Sequence, residues 1–206
     1  ELVLFNGQGG EFPARLESVG KKTVVALLGE QRQREAESPL CIHLGIAISR
    51  GDRMDWVIQK VTELGATYIT PLFTERTEVK LKGERSERKL QHWRQIAISA
   101  CEQCGRNQLP EINGLSDLGS WLAGTRAERR FVLHHRAQEP GPEAGAPASV
   151  ALLVGPEGGL SEGEILAAER AGYQPLALGP RVLRTETAPV AAIAILQSRW
   201  GDMGSA

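Results

Sequence analysis

The sequence is poor in several features, and each shortage removes a class of protein. Only three of its 206 residues are cysteine: Cys41, Cys101 and Cys104. So odd and sparse a set builds no disulfide framework and fits a reducing, cytoplasmic setting. Cys101 and Cys104 have CxxC spacing, but no second pair and no histidine cluster accompany them. Zinc, which needs four ligands, therefore has no site, and no metal is expected. The pair reads as two small helix residues, with a redox couple as the other reading. No hydrophobic run approaches the roughly 20 residues that span a bilayer, and no charged-then-apolar leader opens the chain. Neither sign of charge is in excess: 24 Lys and Arg face 25 Asp and Glu, for a net charge of −1. This excludes a protein that coats nucleic acid with its whole surface, but not one with a local basic patch. Aromatic residues make up only 5%. Trp56, Trp93 and Trp200 read as packing residues and not as platforms for bases.

What remains is an ordinary globular composition, 41% hydrophobic and 24% charged. The length suits one large domain, or a compact domain with a small companion. Residues 1–30 read as short strands at 2–5, 11–19 and 23–28, separated by glycine-bearing turns. The chain opens on Glu1 directly into apolar Leu2-Val-Leu-Phe, a strand already in progress, so earlier strands of this module are expected to be missing. Residues 31–38 are polar, as a linker would be. From Leu40 strands and helices alternate: strands at 40–49, 67–73, 131–134, 151–154 and 175–178, and helices from Asp52 to Gly65 and at 86–104, 115–122, 161–171 and 187–200. Residues 137–149 form a Pro/Gly/Ala loop. Such alternation predicts a parallel α/β sheet.

Two loops carry chemical signal. Leu152-Leu-Val-Gly-Pro-Glu-Gly-Gly-Leu-Ser-Glu-Gly-Glu164 runs from a buried strand through three glycines into a helix. Ser161 and Glu164 have the spacing of a capping box. Glycine lets the backbone approach a ligand, and ligands of open α/β sheets bind beyond the carboxyl ends of strands. A tight strand–helix turn explains the glycines equally well. The loop fits neither the dinucleotide fingerprint nor the P-loop. In the second loop, Leu176-Ala-Leu-Gly-Pro-Arg-Val-Leu-Arg-Thr-Glu-Thr-Ala188, a strand again ends in Gly-Pro. Thr187 suits a helix N-cap. That leaves Arg181, Arg184 and Glu186 to explain, either as polar ligand chemistry or as a surface ion-pair cluster.

Together the loops resemble the C-terminal motifs of the RsmE family, SPOUT-superfamily methyltransferases acting on N3 of a uridine in small-subunit ribosomal RNA. The family pattern runs GPEGG to a following Glu, then LGxRILRTETA. Here it is matched by Gly155–Gly159 with Glu164, and by residues 178–188. Asp52-Arg-Met-Asp-Trp-Val-Ile-Gln-Lys-Val-Thr-Glu-Leu-Gly65 and Ala100-Cys-Glu-Gln-Cys-Gly-Arg106, with Pro110, are similar to two further motifs. The likeness is colinear over about residues 40–200. Arg50 stands where lysine is common, and Cys104 where serine is usual.

The resemblance implies a SPOUT-type α/β fold with a parallel sheet and a C-terminal trefoil knot at about residues 150–200. It places a methyltransferase domain at 37–206, preceded at 1–36 by part of a PUA-like β-barrel for RNA binding. It implies a homodimer, S-adenosyl methionine as cofactor, and small-subunit ribosomal RNA as partner, within an assembled 30S particle. Cofactor contacts are expected from Val154, Gly155, Glu157, Gly158, Leu178, Gly179, Val182, Leu183 and Thr187. Arg184 and Glu186 are the expected catalytic pair, neither singled out as the base. RNA contacts are expected from Arg106, Lys80, Lys82, Arg85, Arg88 and Lys89. The alternative for Arg106 is a cation satisfying helix-end carbonyls. Residues 76–94 hold seven basic side chains against three glutamates, a net of +4, which is a phosphate patch or a solvated helix face. Lys60 and Glu63 read as a structural i,i+3 pair. His134 and His135, after a strand end, are candidates for lining the cofactor pocket. The competing activities are ribose 2′-O or tRNA methylation by another SPOUT enzyme. A non-catalytic RNA-binding or ribosome-assembly protein is the competing class.

Overall fold

A computed structural model of the protein describes residues 1–34, 36–134 and 145–204. His135 and most of the loop expected at 137–149 lie outside the described residues. The first three strands, β1 (Leu2–Leu4), β2 (Phe12–Val19) and β3 (Val24–Leu28), form an antiparallel sheet in the order β1-β2-β3. It leaves Val3, Leu16, Val19, Val24, Val25, Leu27 and Leu28 exposed. Gly9 N donates to Asn107 O, and Leu109 N to Gly7 O, fastening this module to the rest of the chain.

The alternating stretch gives β4 (Cys41–Ala47), α1 (Arg53–Glu63), β5 (Tyr68–Phe73), α2 (Glu84–Cys104), β6 (Glu111–Ile112) and β7 (Ser116–Asp117). There follow α3 (Leu118–Gly124), β8 (Arg129–Leu133), β9 (Ser149–Val154), α4 (Glu162–Arg170), β10 (Gln174–Leu176) and α5 (Thr187–Trp200). Strands β4 to β10 make one seven-stranded sheet of order β10-β8-β9-β4-β5-β6, with β7 also on β5. Every pair in it is parallel. Parallel strands are buried on both faces, and β9 shows how the sequence meets that demand. Its Val150, Leu152 and Val154 join a core with α1, α2 and α5. Ala151 and Leu153, pointing the other way, join a second core with α3 and α4.

Some elements depart from the expected bounds. The helix expected from 115 begins at Leu118, because residues 116 and 117 pair with β5 and Asp117 then caps the helix through Ser120 N. The strand expected at 175–178 ends at Leu176. Thr187 is not the N-cap of α5: Glu186 holds that position, without a side-chain cap, and Thr187 is the first helical residue. Trp93 is fully buried, and Trp200 stacks on Phe131 at 6.1 Å, but Trp56 is 42% exposed and packs little. Among the described residues no helix is long and apolar enough to cross a membrane.

Candidate active site

The site lies at the carboxyl edge of the sheet, where three connections are stitched together. Beyond β9, Gly155 lets the chain fold back on itself: a Cβ there would lie 2.9 Å from Leu160 N and Cγ. Gly159 N donates to Pro156 O at 2.8 Å, closing the turn. Ser161 then caps α4, with Glu164 N donating to Ser161 Oγ at 3.2 Å and Ser161 N to Glu164 Oε2 at 2.8 Å. Glu164 is only 7% exposed, and its other oxygen accepts Glu75 N at 2.8 Å, so the capping box also holds the turn after β5. From that turn Arg76 Nη1 donates to Gly158 O at 2.7 Å. Arg50 N (3.1 Å), in the turn after β4, and Arg53 Nη1 (2.9 Å), at the start of α1, both donate to Glu157 Oε1. Partial burial disfavours the Glu157 carboxylate. Hydrogen bonds from its own and the Arg50 backbone N–H, with the Arg53 guanidinium, outweigh this and hold its pKa below the usual value.

The second loop, between β10 and α5, faces the first. Gly179 adopts φ +84°, which an L side chain rarely adopts. Arg184 O accepts Thr187 N at 3.0 Å and Ala188 N at 2.9 Å, so the loop ends by starting α5. The two loops enclose a cleft of about 290 Å³. Of the residues expected to bind a cofactor, all but Thr187 line it. His134 lines it too, as do Leu133, Leu160 and Leu176, which the sequence did not single out. A second pocket of about 360 Å³ is bounded by Arg53, Arg184 and Glu186. Glu157, Val182, Leu183 and Thr185 border both spaces, so the two adjoin.

The expected RNA contacts divide. Val79 and Leu81 pack on the core, and the alternating Lys80 and Lys82 point out, exposed. Lys80, Lys82 and Arg85 make no ion pair or side-chain hydrogen bond among the described residues. Arg88 pairs with Glu84 at 3.0 Å, and Lys89 with Asp55 at 3.0 Å. Arg106 lies apart from all of these and is 5% exposed. Its guanidinium grips the Glu37 carboxylate through Nε and Nη2, and Nη1 donates to Thr62 O and Ala66 O. That geometry is inconsistent with an RNA contact and makes Arg106 the satisfier of carbonyls at the end of α1. Lys60 and Glu63 form an i,i+3 pair at 2.8 Å. Burial pushes the Cys101 thiol up to about 11, far from the thiolate a redox couple needs. Among the described residues no group of three or more His, Cys, Asp or Glu is placed to hold a metal ion.

The family profile described as RNA methyltransferase domain matches residues 36–197, the whole parallel sheet and both loops. Fold and cleft thus define an α/β RNA methyltransferase. Ribosomal RNA small subunit methyltransferase E of Buchnera aphidicola (subsp. Schizaphis graminum) is 38% identical over 205 residues, covering 98% of this chain and 83% of the relative. Its Bacillus subtilis counterpart is 31% identical over 206 residues, 95% of this chain and 80% of the relative. The Neisseria gonorrhoeae protein of the same name, solved bound to S-adenosyl methionine, superposes with TM-score 0.92 at 42% identity, covering 98% of this chain and 84% of that one. A Legionella pneumophila structure carrying SAM superposes with TM-score 0.93 at 45% identity, covering 97% and 83%. The chain belongs to the ribosomal RNA small subunit methyltransferase E family.

Arg53 escaped the sequence reading. A signal was available: it is a cation in the first turn of a helix, where the helix dipole disfavours it.

Proposed function

We propose that the protein transfers a methyl group from S-adenosyl methionine to N3 of a uridine in small-subunit ribosomal RNA, within an assembled 30S particle. The observation that carries this reading is the shared wall: a glycine-lined cleft adjoins a pocket bearing Arg184 and Glu186. The cleft suits the cofactor. Leu133, Leu160 and Leu176 offer apolar surface to an adenine. Around Gly159 and Gly179 no atom beyond their chain neighbours lies within 4 Å of the place a Cβ would take, so a ring edge can approach the backbone there closely. Val154, Gly155, Glu157, Gly158, Leu178, Gly179, Val182 and Leu183 make the contacts, with Thr187 at the α5 start behind them.

When bound, the cofactor supplies an electrophilic methyl group on a sulfonium. Uridine N3 carries a proton and is a poor nucleophile at neutral pH. Glu186 faces the pocket where that proton leaves, and a positioned base contributes typically about 10²–10⁴-fold. Arg184 stabilises the negative charge that develops on the uracil. Lys80, Lys82 and Arg85 hold RNA phosphates. Residues 1–36 act as the RNA-docking part of a PUA-like module, and residues 37–206 as the SPOUT domain, with a trefoil knot at about 150–200. The protein works as a cytoplasmic homodimer.

Nucleoside mass spectrometry of bare RNA and of assembled subunits after reaction tests this reading. The expected product is 3-methyluridine, formed on assembled subunits. A 2′-O-methylated nucleoside, or product on tRNA alone, overturns it in favour of another SPOUT activity. Arg184→Ala is expected to lower the methylation rate by about 10²–10³-fold with calorimetric affinity for S-adenosyl methionine unchanged. Undiminished turnover removes Arg184 from the mechanism.

A further inference from the structure

We infer that Arg53 is a second charge-stabilising residue, its guanidinium donating to a carbonyl oxygen beside N3 of the bound uracil as the ring becomes anionic. The inference rests on the uridine-N3 reading above. Arg53 borders the pocket that holds Arg184 and Glu186. It is the first residue of α1, where a cation opposes the helix dipole, so local stability does not account for it. Its side chain is 43% exposed, and among the described residues only its Nη1 is engaged, on Glu157 Oε1 at 2.9 Å. Glu157 Oε1 is itself fixed by Arg50 N at 3.1 Å. The carboxylate thus acts as a peg that orients the planar fork and leaves the remaining N–H groups free to donate.

The charge balance defines the task. As the N3 proton passes to the Glu186 carboxylate, one negative charge spreads over N3, O2 and O4. The N3 electron pair then forms the bond to the methyl carbon, whose bond to sulfur breaks with its pair left on sulfur. A guanidinium fixed beside O2 or O4 lowers the cost of the first step. Two arginines on one pocket match two carbonyl oxygens flanking one nitrogen.

The test uses Arg53→Gln and Arg53→Lys with small subunits reconstituted from RNA carrying uridine or 5-fluorouridine. Fluorine makes N3–H more acidic, so the ring anion needs less help. Arg53→Gln is expected to lower kcat on uridine RNA about 10²-fold and to move the rising limb of the pH–rate profile to higher pH. Most of that loss should return on 5-fluorouridine RNA, and Arg53→Lys should fall between, its charge kept and its fork lost. Calorimetric affinity for S-adenosyl methionine should match the wild type. An equal loss on both RNAs with an unmoved pH profile overturns the inference. So does a loss that tracks weakened cofactor affinity, which would make Arg53 a prop for Glu157. If the wild type yields a product other than 3-methyluridine, the uridine-N3 reading fails first, and the inference with it.

Discussion

His43 is held neutral by its surroundings. It lies on β4 facing the α3 side of the sheet, where Trp121 Nε1 donates to its Nε2 at 3.2 Å. The Thr70 hydroxyl, 2.9 Å from the same nitrogen, therefore acts as donor, and itself accepts Asn113 Nδ2 at 2.9 Å. Desolvation lowers the His43 pKa from 6.5 to about 4. Between those values the unfolded chain binds a proton that the native protein refuses, so stability rises with pH there. Acidifying from pH 6.5 to pH 4 is expected to lower the urea midpoint steadily, and His43→Gln to flatten that part of the curve. An unaltered slope in the variant would assign the acid sensitivity elsewhere. Such residues are hard to read from sequence. Nothing local marks His43, whose partners Thr70, Asn113 and Trp121 come from three later segments. Arg106 misled for the same reason: its partner Glu37 sits in what reads as a plain polar linker, and only folding shows that the pair is buried together.

Where the signal is local, the sequence reads well. Ser161 and Glu164 are three apart and predict the start of α4, and the capping box forms. Its further reach to Glu75 was not legible, since the contact spans 89 positions. Removing Glu164 therefore does more than uncap a helix. Glu164→Ala is expected to cost about 2–3 kcal/mol, because two backbone donors lose a buried carboxylate, whereas Ser161→Ala should cost only about 1 kcal/mol. Urea unfolding of both variants checks the ordering, and equal losses would mean that the Glu75 contact adds nothing. Long apolar or periodic elements such as β4, α2 and α5 announce themselves. Two-residue strands such as β6 and β7 have no period to read, which is why the start of α3 was placed too early. The glycine loops stood out as loops, but that they face one another across a cleft depends on β10 and β9 flanking β8, a long-range fact.

Over the whole molecule, a net charge of −1 conceals uneven distribution. Among the described residues the strip with Lys80, Lys82 and Arg85 keeps its charges unpaired, while neighbouring Arg88 and Lys89 are tied to acids. Replacing the three free cations with alanine is expected to flatten the dependence of log K on log salt for RNA binding by about 2–3 units. A slope that does not change would mean the strip never meets phosphate. The architecture also has a consequence for how the protein comes into being. Strand β4 lies at the centre of the sheet between β5 and β9, and its Cys41 pairs with Ser149, 108 positions later. During synthesis, Ile42, Leu44 and Ile46 must wait for β9 with one backbone edge unclaimed. At roughly 5–20 residues per second that wait lasts about 5–20 seconds. The newborn chain is therefore exposed to aggregation over that interval, and its central strand gains its second neighbour only once residues 149–154 have been made.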